Sequence, residues 1–206
     1  MPTEILGVIL AGGASRRMGG GDKTALDLGG RTMLDHVHAR LRSQVGAVII
    51  NSNATGVRHW QDCTVIADSL PNRPGPLAGV LAGMQWAAGN GYDQIVTVAG
   101  DTPFFPGDLV VRLHSAAGGH KDRIVLAATQ EHTNLRRHPT FGLWPVALRG
   151  DLERAVRNGT RKVVAWVDRH PSRTVAFAVA ENDPFFNVNT PEDLACARRM
   201  LNGGTA

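Results

Sequence analysis

The first two dozen residues constrain this chain most. Residues 5–23 read Ile-Leu-Gly-Val-Ile-Leu-Ala-Gly-Gly-Ala-Ser-Arg-Arg-Met-Gly-Gly-Gly-Asp-Lys. The apolar run from Ile5 to Leu10 stops at Gly12 and Gly13, which describes a buried strand opening into a loop. That loop carries Gly19, Gly20 and Gly21 together with Arg16 and Arg17, and leads to Lys23. Glycine lets the backbone approach a ligand closely and lets successive N–H groups form an anion-binding nest. Arginine and lysine add the positive charge that phosphate requires.

The remainder reads as a scaffold presenting partners to that loop. At 206 residues the chain holds one large α/β domain, residues 1–206, with a true core. A formal net charge of +4 with scattered arginines points to small anionic ligands and not to nucleic acid. Cys63 and Cys196 form no CxxC pair, so neither a disulfide framework nor a cysteine zinc site is expected, and the chain reads as cytoplasmic. The N-terminal apolar run lacks a basic lead and is too short for a signal peptide, and no run reaches membrane-spanning length. His36 and His38 stand two apart on a helix and point to different faces, so they are not a metal pair.

Strand and helix patterns alternate along the chain. Helical spacing of Met33, Leu34, Val37 and Leu41 predicts a helix over residues 32–43. Buried strands are expected over 47–50 and 64–67, a helix from Leu77 to Ala88 closed by Gly89 and Gly91, and a strand over 94–99. A helix carrying Leu109, Val110 and Leu113, strands over 124–128 and 141–143, and helices over 151–158 and 162–169 follow. Residues 129–139 read as a polar, basic loop, and 174–179 as a strand. Thr190-Pro191-Glu192-Asp193 combines an N-cap, a proline at the first helical position and an acid three residues after the cap. The alternation implies an α/β fold: a three-layer α/β/α, Rossmann-like, mostly parallel twisted sheet. The early strands all end in polar groups, at Gly12-Gly13, Asn51, Asp68 and Asp101. Ligands of open α/β sheets sit beyond those strand ends, so the four groups should converge on one pocket.

Both common nucleotide fingerprints fail. Gly21-Asp22-Lys23-Thr24 approaches a Walker A loop, but Asp22 interrupts its Gly-Lys step, and G-x-G-x-x-G is absent. Leu10-Ala11-Gly12-Gly13, Arg17-Met18-Gly19 and Lys23 instead resemble the L-A-G-G-x-x-x-R-M-G-…-K loop of nucleotidyltransferases. Further landmarks follow in order: Asn51-Ser52-Asn53, Asp68-Ser69, Gly75-Pro76-Leu77-Ala78-Gly79, Gly100-Asp101-Thr102-Pro103, His138-Pro139-Thr140, and Asn187-Val188-Asn189-Thr190-Pro191. Together they resemble the molybdenum cofactor guanylyltransferases over residues 5–200.

That resemblance implies transfer of GMP from GTP to molybdenum-molybdopterin, with release of pyrophosphate. Cytidylyl transfer, transfer to a sugar phosphate, and a non-catalytic carrier of the nucleotide or cofactor are the alternatives. Residues 1–103 would form the nucleotide-binding half and 104–206 the acceptor-binding half. Leu10, Ala11, Gly12 and Gly13 would offer main-chain groups to the nucleotide, Arg17 and Lys23 would clamp the triphosphate, and Gly79 would open a helix aimed at it. Asp101 suits Mg²⁺, with Mn²⁺ as an alternative, because such ions keep most of their waters and take one or two protein oxygens. Asn51 and Asp68 can each read guanine, ribose or both. His138, Arg161, Lys162, Asn187 and Asn189 are the acceptor candidates, with Asn189 also a possible metal ligand. Other cofactor-biosynthesis proteins, apo-molybdoenzymes and their chaperones are the implied partners.

Overall fold

A computed structural model describes residues 5–12, 23–53, 59–60, 63–70, 75–131 and 134–203. Gly13, Arg16 and Arg17, and the side chain of Lys23, lie outside that description.

One eight-stranded sheet runs through the molecule in the order β3-β4-β2-β1-β5-β7-β6-β8. The strands are β1 (Ile5–Leu10), β2 (Ala47–Asn51), β3 (His59–Trp60), β4 (Cys63–Ile66), β5 (Gln94–Ala99), β6 (Ile124–Glu131), β7 (Asn134–Pro145) and β8 (Ser172–Phe177). β3 and β7 run against the other six strands, so the sheet is mostly parallel.

Helices cover both faces. On one, α1 (Met33–Arg42) and α3 (Leu109–Ala117) bury Leu34, Val37, Leu41, Leu109, Val110 and Leu113 against Ile5, Ile9, Val96 and Val98. On the other, α2 (Pro76–Gly89), α4 (Arg149–Arg157) and α5 (Val163–Val167) bury Leu77, Leu81, Met84, Leu152 and Trp166 against Leu6, Val8, Ile95 and Trp144. The central strands β1 and β5 are apolar on both faces because both faces are covered. The last helix, α6 (Pro191–Leu201), packs Leu194 and Ala197 on Leu28, Met33 and Val188.

Helix starts follow the capping chemistry. At α6 the Thr190 hydroxyl accepts from the Asp193 N–H at 3.1 Å, and the Asp193 carboxylate accepts from the Thr190 N–H at 2.9 Å. Thr32 and Asp35 build the same reciprocal box at α1. The long apolar helix α2 uses no side-chain cap: Gly75 stands at its N-cap with φ 84°, and Pro76 opens the first turn.

One segment departs from the expected layout. Residues 129–139, expected as a loop, belong to the long antiparallel pair β6–β7, whose ladder continues through Thr129↔Arg136 to Glu131↔Asn134. The buried positions among those described in this stretch, Thr129 and His138, are polar, so apolar alternation is missing and the sequence mimics a loop. The ends of this pair are pinned by exposed ion pairs, Arg136–Asp183 at 3.6 Å and Arg137–Asp168 at 2.7 Å. The ladder slips once: Leu126 pairs with Gly142 but Ala127 pairs with His138, leaving Pro139, Thr140 and Phe141 as a bulge on β7. Proline has no N–H to give the ladder, so a bulge is where it is tolerated within a sheet.

Candidate active site

A cleft with a cavity volume of about 370 Å³ opens beyond the carboxyl ends of the parallel strands. Gly12, Asn51, Asp68 and Asp101, the strand-end groups singled out in the sequence, all line it, with Leu10, Gly75, Pro76, Gly79, Ala99, Thr140 and Asn187. Backbone bonds tie the strand ends together. The Ala11 N–H donates to the Asn51 carbonyl at 2.8 Å, and the Gly100 N–H donates to the Leu10 carbonyl at 3.0 Å.

One wall is a carboxylate held by two amides. Asn51 donates Nδ2–H to Asp68 Oδ1 at 3.0 Å, and Asn53 donates Nδ2–H to Asp68 Oδ2 at 2.7 Å. The Asp68 N–H returns a bond to Asn53 Oδ1 at 2.9 Å. Each carboxylate oxygen keeps further lone-pair capacity, so Asp68 can still accept from a ligand in a fixed orientation. The first turn of α2 lies against this group. A methyl at Gly79 would run into Asn51 Oδ1 and come within 2.8 Å of Leu10 Cδ2, so only glycine allows the helix to approach this closely.

The opposite wall follows β5. The Asp101 carbonyl accepts from the Val188 N–H at 2.8 Å, which ties this strand end to the segment before α6. Thr102 is fully buried, and its hydroxyl donates to the Asn187 side-chain carbonyl, fixing that amide at the cleft. Thr140 reaches the cleft from the bulge, and its carbonyl accepts from the Thr97 hydroxyl at 2.8 Å. Bulges beside functional sites commonly re-aim a side chain in this way.

The other acceptor candidates are dispersed. His138 is not among the residues lining the cleft. Its ring stacks on Phe185 at 4.2 Å, it meets the Thr129 hydroxyl at 3.0 Å, and it is 9% exposed. Burial pushes its pKa down to about 4, with Asp183 raising it and Arg136 lowering it by less, so it is neutral near pH 7 and belongs to the core. As an acceptor candidate His138 thus stands behind the cleft lining, where Thr140, two residues on, lies on the wall. Arg161 turns its guanidinium to the Val156 and Thr160 carbonyls at 2.8 and 3.1 Å, while its own carbonyl lies near Gly75 at the cleft edge. Lys162 is exposed at the N-cap of α5. Asn189 lies outside the cleft lining, its N–H bonded to Asp193 Oδ2 at 2.8 Å.

Sequence reading named His138-Pro139-Thr140 but weighted the histidine. The proline inside a strand was the available signal for a bulge, and hence for Thr140. Asn53 was also passed over, although its spacing of two from Asn51 brings both amides to one carboxylate.

A cleft at the strand ends of a mostly parallel α/β sheet, with a glycine entrance, an amide-braced carboxylate and a second carboxylate opposite, defines the nucleotidyltransferase class. The MobA-like NTP transferase domain matches residues 7–174, and the chain belongs to that family. It is 44% identical over 209 residues to a molybdenum cofactor guanylyltransferase of Nitrobacter hamburgensis, covering 98% of this chain and 97% of that one. Its fold is similar to the molybdopterin-guanine dinucleotide biosynthesis protein A of Archaeoglobus fulgidus, with TM-score 0.72, 21% identity, and 96% and 99% of the two chains covered. A 4-diphosphocytidyl-2C-methyl-D-erythritol synthase of Anaerococcus prevotii superposes almost as well, with TM-score 0.71, 14% identity, and coverage of 96% and 98%. Two such different names at nearly equal likeness show that the fold does not choose the base.

Proposed function

We infer that this chain transfers GMP from GTP to molybdenum-molybdopterin, releasing pyrophosphate and forming the guanine dinucleotide cofactor. The observation that carries the reading is the full-length likeness to a named molybdenum cofactor guanylyltransferase, on a chain whose strand-end groups line one cleft.

The chemistry needs positioning and charge neutralisation, and no covalent nucleophile. The acceptor's terminal phosphate oxygen bonds to the α-phosphorus of GTP. The bond from that phosphorus to the β-bridging oxygen breaks, and its electron pair leaves on pyrophosphate. In this assignment Leu10, Ala11, Gly12 and Gly13 hold the nucleotide through the main chain, and Asp68 accepts from guanine N1–H and N2–H₂. Asn51 and Asn53 orient Asp68, and Arg17 and Lys23 hold the phosphates and the charge growing on the leaving group. Thr140, Asn187, Arg161 and Lys162 face the acceptor, with residues 1–103 as the nucleotide half and 104–206 as the acceptor half.

The reaction class implies a divalent cation. The donors at the far wall fit one: Asp101 gives a carboxylate, Asn187 an amide oxygen, and both are hard oxygen ligands. No group of three or more His, Cys, Asp or Glu stands ready as a cage among the described residues. An ion retaining waters and phosphate oxygens, Mg²⁺ or Mn²⁺, therefore suits Asp101, with Asn189 close in sequence to Asn187 as a further candidate. Bound there, it would neutralise phosphate charge. No helix among the described residues is long and apolar enough to cross a membrane. We assign the protein to the cytoplasm, with cofactor-biosynthesis proteins and apo-molybdoenzymes or their chaperones as its partners.

The test is pyrophosphate release from each nucleoside triphosphate, with purified molybdenum-molybdopterin and Mg²⁺. Release with GTP at a rate at least tenfold above CTP is expected. Equal or faster release with CTP overturns the base assignment, and nucleotide binding without release makes the protein a carrier.

A further inference from the structure

A second concavity lies on the α1 face, lined by Arg31, His36, Ala39, Arg40, Ser43, Pro103, Phe104, Gly107 and Leu201, with a cavity volume of about 320 Å³. None of these residues lines the nucleotide cleft. Two arginines and a histidine share the wall, and among the described residues no carboxylate does.

Among the described residues nothing neutralises the positive charge here. Among the described residues no ion pair or side-chain hydrogen bond involves Arg31 or Arg40. Arg40 is nevertheless half-buried, with its guanidinium 6.0 Å above the Phe105 ring. Its pKa is lowered by that burial, the sign of a cation taken partly out of water without an anion to repay the desolvation. The arginines paired elsewhere on this surface, such as Arg137 with Asp168 and Arg157 with Glu153, show the ordinary alternative.

The walls are also held in place. Gln44 donates to both the Arg40 and Pro106 carbonyls at 3.1 Å, and its Oε1 accepts from the Val110 N–H at 2.9 Å. One side chain thus fastens α1 to the segment carrying Pro103, Phe104 and Gly107. His36 is fixed by donating Nε2–H to the Leu28 carbonyl at 2.7 Å. This is a braced pocket and not a pair of waving surface arginines.

We propose that this pocket binds a small molecule bearing a phosphate or diphosphate group, at a site separate from the nucleotide cleft. Guanidinium forks match phosphate oxygens two at a time, and two of them balance a dianion. Phe104, Pro103 and Leu201 give an apolar wall for the rest of such a molecule. Concavity favours a small ligand over an acidic protein surface. The pocket shares its chain with the cleft, since Pro103 and Phe104 directly follow Asp101 and Thr102.

The test is a titration of the full chain with inorganic pyrophosphate, followed in ¹H–¹⁵N spectra that include the arginine Nε–Hε signals. Saturable shifts are expected at Arg40 Nε and at the Ser43, Phe104 and Gly107 amides, separate from any at Gly12, Asn51 and Gly79. Arg31→Met, at an exposed position where substitution changes stability little, should weaken them about tenfold, the loss of one charge-assisted contact. Arg40→Met should do the same while leaving the cleft signals unchanged. The proposal fails if no saturable shift appears there, if Arg31→Met leaves the affinity intact, or if sulfate shifts the same signals with equal affinity, which would mean an adventitious ion only. It fails equally if polyglutamate binds there and pyrophosphate does not.

Discussion

The two halves of the cleft are built differently. On the proposed nucleotide side, β1, β2, β4 and β5 are parallel neighbours with short polar ends, so each strand delivers its terminal residue to the same edge. On the proposed acceptor side, β7 runs antiparallel to β5, and its contribution comes from a mid-strand bulge. Strand ends of a parallel sheet converge by topology alone. A residue in the middle of an antiparallel strand reaches the cleft only when the ladder is broken. The first half is therefore robust to which side chains decorate it, and the second depends on one irregularity.

The largest effect should come from the group between the halves. Asp101→Ala should lower turnover about 10²–10³-fold, the range seen on removing a group that stabilises transition-state charge, with the melting temperature little changed. Retained activity would remove the metal assignment. The next effect belongs to the acceptor side alone. Burial depresses the His138 pKa to about 4, so the folded chain keeps it neutral near pH 7. As pH falls from about 6.5 towards 4, the unfolded chain takes up a proton that the folded chain refuses, so stability must fall. The loss is about 3 kcal/mol at most. Replacing the buried pair together, with His138→Phe and Thr129→Val, should flatten that acid limb in urea titrations run at several pH values. An unchanged limb would mean that other groups carry it.

Gly79→Ala tests the nucleotide side. Its methyl would overlap the Asn51 amide and Leu10, costing about 1–3 kcal/mol of stability as overpacking and weakening GTP more than acceptor. Asn53→Ala is subtler: it frees one oxygen of Asp68 and should raise the KM for GTP about tenfold, near the value of one hydrogen bond to a charged group. The KM for the acceptor should hold. Equal change in both constants would mean that the halves are not separable. Smallest of all, Arg137→Ala removes an exposed ion pair with Asp168 and should cost under about 1 kcal/mol in thermal unfolding.

The same contrast explains what could be read in the chain before folding it. Strands such as Ile5–Leu10 and Gln94–Ala99 are buried and mostly apolar, and their ends are marked by glycine or polar residues, so both fold and convergence are legible from local pattern. Thr190 to Asp193 spells out its cap in four letters. Residues 129–139 were read as a loop because the buried positions described there, Thr129 and His138, are polar and leave no apolar alternation to read. His138 looked like a ligand because a motif surrounds it. Only the ring of Phe185, 47 positions away in sequence, reveals it as core.

By itself the sequence determined the α/β architecture, the cap of the last helix, and the set Gly12, Asn51, Asp68 and Asp101 at strand ends, since hydrophobic period and turn chemistry act over a few residues. Tertiary structure decided which of the remaining polar groups face the cleft. Thr140 does so through a register slip, Asn53 through Asp68, and Asn187 through Thr102. It also decided that Arg31 and Arg40 meet Phe104 across more than sixty residues of chain. Such juxtapositions depend on how separate elements pack, and no local pattern records them.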